Sequence, residues 1–267
     1  MTATLALAAA LSLAPAQAGE LKLTNERATY GYLGPTRTDT KLLAGDAYYV
    51  TFDIEGLKVS DTGEVYFKMG MAIKDSKGKD QFRQEPIEQR QLLSLGGTRV
   101  PAFAHAVIGA DTEPGEYTFE VTVTDPSGKQ EATLRRKLQV ETKKLGIIRL
   151  GLSLDPDGRL GVPTLGVPGE GRWVNFGVVG FQRDSKTKQP DLLAEMIVLD
   201  EKGKPTLPKP LSGEANKEVP EKLQGIPMQF FLAFNRTGKY TVRLKVTDRL
   251  AKKTVEQSFD VTVIEPK

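Results

Sequence analysis

The sequence predicts an all-β protein built from two antiparallel β-sandwiches in tandem, and three observations support that prediction. The segment Gly115–Asp125 returns as Gly238–Asp248 with the same Gly-x-Tyr-Thr start and Val-Thr-Asp end. Apolar and polar residues alternate with a period of two through both copies, as in half-buried strands. Turn sequences rich in aspartate, glycine, proline and serine separate these segments. A repeat this long indicates a duplicated domain rather than a solenoid unit.

The first 18 residues are expected to be a secretory signal peptide. Met1–Ala18 has no charged residue, is rich in leucine and alanine, and ends in the small-x-small cleavage pattern Ala16-Gln17-Ala18. The apolar run is too short for a membrane-spanning helix, and no later segment reaches that length. No lysine or arginine precedes the apolar run, so the terminal amine would have to supply the positive charge. The alternative is a buried N-terminal helix. The expected location is therefore the periplasm or the medium, by bacterial-type export.

Residues 19–142 are predicted to form the first sandwich. Its strands alternate, so that every second residue faces the core while the residues between face solvent. The positions expected to face inward are Val50, Phe52, Ile54, Phe67, Met69, Met71, Ile73, Tyr117, Phe119, Val121, Val123, Ala132, Leu134, Leu138 and Val140. The segment 141–146 is a short linker, so the two domains should lie end to end.

Residues 146–267 are predicted to form the second sandwich. Residues 169–181 align without gaps on 45–57, and residues 196–204 align on 71–79 with five identities. About seven strands fit into each copy of roughly 124 residues, which is typical of a β-sandwich. The corresponding inward positions are Val174, Phe176, Val178, Leu192, Ala194, Met196, Val198, Tyr240, Val242, Leu244, Val246, Val255, Phe259, Val261 and Val263.

The repeated segments resemble a known domain family. Pro114–Thr118 and Thr237–Thr241 each lead into a strand that ends in Val-Thr-Asp, as in bacterial immunoglobulin-like domains, including cadherin-like and PKD-like relatives. The resemblance implies that Tyr117 and Tyr240, which follow Gly115 and Gly238, are tyrosine corners whose hydroxyls hold the preceding turn. It covers nearly all of residues 20–267, but it indicates a fold and not a function.

The composition argues against several kinds of chemistry. The chain has no cysteine and one histidine, His105, so it lacks the ligands of a zinc site and the thiol of a cysteine nucleophile. No Gly-x-Ser-x-Gly elbow is present. We therefore predict no catalytic, cofactor-binding or metal-binding residue and a protein that is not an enzyme. His105 is expected to be a partly buried strand residue.

The charge pattern does not favour nucleic acid as a partner. Lysine and arginine together number 37 against 34 acids, a net charge of +3. Positive and negative side chains are interspersed, whereas a nucleic-acid surface would concentrate positive charge on one face beside stacking aromatics.

Four aspartates recur at equivalent positions where a strand enters a turn: Asp75 and Asp200, and Asp125 and Asp248. Aspartate is common at such positions because its carboxylate accepts hydrogen bonds from turn amides. Calcium binding at these turns stays open as an alternative, although a hard-cation site needs more acids than these.

Two features are candidates for recognition. Tyr49 and Trp173 align with each other and lie on the outward side of strands whose inward residues are apolar. They form either an aromatic surface for a glycan or a partner, or a pair buried by a bulge or an overlying segment. The long connections Asp80–Thr98 and Pro205–Gly225 are the second candidate, and the first is expected to contain one or two helical turns after Pro86.

The function expected from these features is that of an exported, non-enzymatic binding or scaffold protein of the cell envelope. Its partner would be an envelope protein or a glycan. Two alternatives remain open at this point. One is a periplasmic assembly chaperone, because pilus chaperones also combine two such domains and bind a client strand along an exposed edge. The other is an accessory domain that acts beside an envelope enzyme or transporter.

Overall fold

The computed structural model of the protein describes residues 19–126 and 129–266, and these residues form sixteen β-strands and no helix. The predicted signal peptide, residues 1–18, lies outside the described residues. The strands of the first copy are β1 (Lys22–Thr29), β2 (Lys41–Leu42), β3 (Ala47–Glu55), β4 (Glu64–Asp75), β5 (Asp80–Leu92), β6 (Val100–Val107), β7 (Gly115–Thr124) and β8 (Glu131–Val140). The strands of the second copy are β9 (Gly146–Ser153), β10 (Leu165–Gly166), β11 (Gly171–Val179), β12 (Leu192–Leu199), β13 (Leu211–Ala215), β14 (Gly225–Ala233), β15 (Gly238–Asp248) and β16 (Lys253–Val263).

Each copy arranges its strands in one sheet of three and one sheet of five. The orders are β1-β3-β6 and β2-β8-β7-β4-β5 in the first copy, and β9-β11-β14 and β10-β16-β15-β12-β13 in the second. The two copies therefore have the same topology, and the predicted all-β fold of two sandwiches is confirmed. The arrangement is consistent with immunoglobulin-like domains.

Each copy has eight strands instead of the predicted seven, because β2 and β10 contain only two residues each. Each runs parallel to the last strand of its copy, with Lys41 beside Gln139 and Leu165 beside Thr262. Two residues are too few for an alternating pattern, so these strands could not be predicted.

The inward positions form one core in each copy. Val50 and Val121 in the first core, and Val174 and Leu244 in the second, have no exposed surface. The outward neighbours are polar or half-exposed, as the two-residue period requires.

Gly56 and Gly180 are the same position in the two copies, and the structure explains why both are glycine. They have φ angles of 88° and 67°, in the left-handed region that other residues avoid. A Cβ on Gly56 would collide with the carbonyl group of Glu20, and one on Gly180 with the carbonyl group of Lys144. The residues just before the first strand of each copy pass close to this turn, so the identity follows from backbone geometry.

The expected helical turns after Pro86 are wrong, because residues 80–92 form the 13-residue edge strand β5. Its side chains are exposed on both faces, so the apolar alternation that marks other strands is missing. Pro86 lies at a bulge where β5 skips a pairing opposite Gly70. Proline is tolerated in an edge strand at a bulge, because its nitrogen does not need to donate a hydrogen bond to the neighbouring strand there. In the second copy, β13 occupies part of the connection 205–225.

The two repeated tyrosines have the geometry that the family resemblance implies. The Tyr117 hydroxyl donates a hydrogen bond of 2.9 Å to the carbonyl of Glu113, four residues earlier. The Tyr240 hydroxyl lies 3.0 Å from the carbonyl of Thr237 and 3.2 Å from that of Arg236. Gly115 and Gly238 begin the two strands that carry these tyrosines.

Replacing Tyr117 with phenylalanine should destabilise the first copy by about 1–2 kcal/mol, because a buried hydroxyl bond is lost and its carbonyl acceptor stays unpaired. Tyr240→Phe should cost less, about 0.5–1 kcal/mol, since Tyr240 is half-buried and water can replace the hydroxyl. Urea denaturation of both variants measures this difference. Denaturation midpoints equal to those of the unmodified protein would contradict the tyrosine-corner role.

Candidate functional site

The two copies are joined by a buried carboxylate in addition to the linker. Asp46 Oδ1 accepts hydrogen bonds of 2.8 Å from the amides of Ala47 and of Arg149, which belongs to the second copy. Arg149 has a φ of 51° at a bulge in β9, so its amide turns away from β11 and towards Asp46. Its Nε also donates to the carbonyl of Gly45 at 2.7 Å. Both bonds cross between the copies and fix their relative position.

The charge of Asp46 is balanced by Arg37, whose Nη1 lies 3.0 Å from Asp46 Oδ2. Both residues are buried, at 5% and 7% exposure. The guanidinium group of Arg37 also donates to the carbonyls of Lys41 and Ala47. A buried ion pair of this kind is tolerated when most of its donors and acceptors are paired, as here.

The loop after β1 packs against the second copy. Tyr30 contacts the apolar core of the second copy. Its hydroxyl donates a hydrogen bond of 3.0 Å to Asp39 and also lies within hydrogen-bonding reach of Gln257 in β16. Burial raises the pKa of Tyr30 to about 12, so the hydroxyl remains a donor at any physiological pH. The backbone of the second copy approaches the same loop closely at Gly161, where a Cβ would lie 2.8 Å from the carbonyl oxygen of Tyr32. A side chain of the first copy thus completes the core of the second.

Tyr49 lies on the outer face of the three-stranded sheet of the first copy, as the alternation of inward and outward residues along its strand predicted. It is half-buried and stacks on His105, its cross-strand neighbour, with ring centroids 5.1 Å apart and planes 14° apart. Phe103 continues this cluster at 6.5 Å from His105, and Tyr32 lies 4.4 Å from Phe103.

The expected partial burial of His105 is wrong. It is exposed because residues 103 and 105 alternate with the inward Ala104 and Ala106.

Trp173 occupies the equivalent position on the outer face of the second copy. Its ring lies 5.2 Å from that of Phe231, which is directly opposite on β14. The next outward pair along the same strands is Asn175 and Gln229. Asn175 Nδ2 donates to Ser153 Oγ at 2.6 Å, which holds the amide in place. An aromatic pair therefore lies beside an amide pair on one sheet face.

A groove runs between the two copies, and Tyr49 lines it, whereas His105, Trp173 and Phe231 lie outside it on the adjoining sheet faces. Its wall in the first copy includes Tyr32, Tyr49 and Val107, and its wall in the second includes Asn175, Gly177 and Gln229. Gly151, which pairs with Asn175, also lines it and leaves open space where a Cβ would project. At Gly177 the side chain of Ile148 occupies the corresponding space, with its Cγ1 3.1 Å from the Cβ position, so the open backbone lies at Gly151.

The recurring aspartates hold turns. Asp75 Oδ1 accepts the amides of Lys77 and Lys79 at 2.9 and 3.0 Å, and Asp200 Oδ1 accepts those of Lys202 and Lys204, both at 2.9 Å. These amide bonds, chiefly from Lys79 and from Lys204, lower the pKa of both carboxyls.

The second pair of aspartates follows the same principle. Asp248 is buried and accepts amides from Gln182, Leu250 and Ala251, whereas Asp125 accepts the amide of Lys129 at 3.4 Å. Over residues 19–126 and 129–266, no group of three or more histidine, aspartate or glutamate side chains is placed to hold a metal ion.

Comparison with known proteins does not identify a family. No protein-family model and no curated protein matches the chain. Among solved structures, red sea bream transglutaminase aligns with 93% of this chain and 32% of its own, at 10% identity and a TM-score of 0.29. The chain thus spans about a third of that protein, and so loose a likeness carries no argument about activity. Within the described residues, no helix has the length and apolarity needed to cross a membrane.

The sequence located two of the residues of this surface and missed the others. The alternation of inward and outward residues identified Tyr49 and Trp173. It did not single out Tyr32, Phe103, Phe231 or the amides of Asn175 and Gln229. Phe231 gave no such signal, because β12 and β13 of the other sheet separate β11 from β14 in the chain and no tight turn sets the register of that pair. Tyr32 lies in an irregular loop, and nothing in the sequence indicates which face that loop covers.

Proposed function

We propose that the protein is an exported, non-enzymatic binding module of the cell envelope and that it binds neutral polysaccharide along the groove between its two copies and across the sheet faces beside that groove. The observation that carries the proposal is the aromatic pair at the same outward position of both copies, Tyr49 with His105 and Trp173 with Phe231. Assignment to the cadherin-like or PKD-like immunoglobulin relatives, and the domain limits 19–142 and 146–267, belong to this proposal.

The chemistry of the groove favours a sugar without charge. Aromatic rings offer flat apolar surface to the C–H faces of a sugar, and the neighbouring amides of Asn175 and Gln229 can bond its hydroxyls. Two of the arginines at the rim already have partners. Arg159 pairs with Asp157 at 2.7 Å, and Arg183 donates to the carbonyls of Pro220 and Leu223. The groove therefore offers stacking and hydrogen bonding without a strong field of one sign.

Affinity electrophoresis in gels that contain soluble neutral polysaccharides, such as xylan and hydroxyethylcellulose, tests the proposal. We expect retardation of the unmodified protein and at least a tenfold weaker affinity for Trp173→Ala and for Tyr49→Ala, since each loses a stacking surface. Tyr66→Ala is the matched control, because Tyr66 is an exposed aromatic on the other sheet of the first copy. It should bind normally.

An anionic polysaccharide, alginate, provides the second control and should not retard the protein beyond a sugar-free gel. Unchanged mobility in every neutral polysaccharide would contradict the proposed ligand class. Normal retardation of both Trp173→Ala and Tyr49→Ala would contradict the proposed surface.

A further inference from the structure

The side-chain amide of Asn175 is held in one orientation by a buried serine. Ser153 is 1% exposed, and its Oγ lies 2.6 Å from the carbonyl oxygen of Asp155 and 2.6 Å from Asn175 Nδ2. A carbonyl oxygen can only accept, so Ser153 donates its single hydroxyl proton to Asp155. The serine oxygen then accepts from Asn175, which requires the amide nitrogen on that side. The carbonyl oxygen of Trp173, 3.4 Å from Nδ2, imposes the same orientation.

The oxygen of the same amide is free to accept a hydrogen bond from a ligand. Among residues 19–126 and 129–266 no group donates to Asn175 Oδ1, and this atom is not enclosed by the protein. Gly158 covers the nitrogen side, where a Cβ would lie 3.6 Å from Nδ2. Gly151, directly opposite Asn175 on β9, leaves open space beside the amide. Asn175 therefore contributes a fixed acceptor to the wall of the groove.

The first copy has the buried hydroxyl but not the oriented amide. Thr29, the counterpart of Ser153, is fully buried and donates at 2.9 Å to the carbonyl two residues ahead. Thr51, the counterpart of Asn175, donates its own hydroxyl to the carbonyl of Arg27 at 3.3 Å. Arg27 in turn occupies the place that a glycine has in β9. The buried hydroxyl thus belongs to the turn that both copies share, whereas the acceptor and the space beside it belong to the second copy.

We propose that Asn175 selects ligands that present a free hydroxyl group at this point of the groove, and that Ser153 is the positioning residue that makes the amide an acceptor only. The inference rests on the proposed binding of neutral polysaccharide and specifies which sugars fit. A free sugar hydroxyl can donate to Oδ1, whereas a methylated one has only an ether oxygen, which is also an acceptor. A methylated polysaccharide would therefore leave Asn175 Oδ1 without a donor and would bind less tightly.

Affinity electrophoresis in hydroxyethylcellulose and in methylcellulose tests the inference, because the two polymers share a backbone and differ in their free hydroxyl groups. The affinity of the unmodified protein should be about fivefold higher for hydroxyethylcellulose, as expected for one hydrogen bond. Ser153→Ala should lose this difference, since the released amide can turn and donate to an ether oxygen. Ser153→Thr places the residue of the first copy at this position, keeps the hydroxyl and should preserve the difference.

Gln229→Leu is the matched control. Gln229 lies opposite Asn175 on β14, is exposed and makes no side-chain hydrogen bond in the part of the chain that the structure describes. Its amide can therefore offer either atom to a ligand, and its loss should weaken the affinity for both polymers alike. Circular dichroism verifies that each variant folds.

Two results would overturn this inference and leave the proposed function intact. One is equal retardation of the unmodified protein in the two polymers. The other is a folded Ser153→Ala protein that distinguishes the polymers as well as the unmodified protein does. Absence of retardation in both polymers and in xylan would contradict the proposed function itself, and the inference with it.

Discussion

Replacing Asp46 with alanine is expected to destabilise the protein by about 3–5 kcal/mol, the largest effect of any single polar substitution argued for this chain. The substitution leaves the buried guanidinium group of Arg37 without its carboxylate, and breaking one partner of a buried pair costs about that much. It also removes the acceptor of the Arg149 amide, which belongs to the second copy. Urea denaturation followed by circular dichroism measures the loss.

Asp39→Ala is the matched control for Asp46→Ala. Asp39 also lies near Arg37, at 3.5 Å, but its side chain is 46% exposed. It should therefore cost less than about 1 kcal/mol. The double variant Arg37→Met with Asp46→Ala should be more stable than Asp46→Ala alone, since no buried charge is then left unpaired. If Asp46→Ala and Asp39→Ala had equal effects, the buried pair would not be a principal support of this corner.

The sequence predicted those parts of the fold that depend on period and repetition. Alternation placed Val121 and Leu244 in the two cores, and the repeat showed that both copies have one topology. Prediction from the sequence failed where side chains do not alternate. Strand β5 is exposed on both faces, so its sequence resembles a polar loop, and Pro86 suggested a helix start rather than a bulge. A strand whose outer edge and both faces meet solvent leaves little hydrophobic signal.

The candidate site was only half predictable for a related reason. The two-residue alternation of a strand indicates whether Tyr49 or Trp173 faces outward, because that alternation can be read from neighbouring residues in the sequence. The partners of these rings depend on strand register and on the packing of one copy against the other. The contact between Asp46 and the Arg149 amide joins residues 103 positions apart, and no local pattern specifies it.

Tyr30→Ala is expected to destabilise the second copy by about 2–3 kcal/mol, although Tyr30 belongs to the first. Its ring packs against the core of the second copy, and truncation of a large aromatic leaves a cavity there. It also removes the ring that lies 4.9 Å from the Arg37 guanidinium carbon. Trp173 is the only tryptophan of the chain and lies in the second copy, so its fluorescence during urea denaturation reports that copy.

Tyr66→Ala separates this cross-copy effect from general destabilisation. Tyr66 lies in β4 of the first copy, is 36% exposed and makes its hydrogen bond to Glu64 of the same strand. Its removal should leave the midpoint of the Trp173 transition unchanged, whereas Tyr30→Ala should lower it. An unchanged Trp173 midpoint in Tyr30→Ala would mean that the two copies unfold independently. A lowered midpoint would mean that the groove between them is held by shared packing, because a residue of one copy then sets the stability of the other.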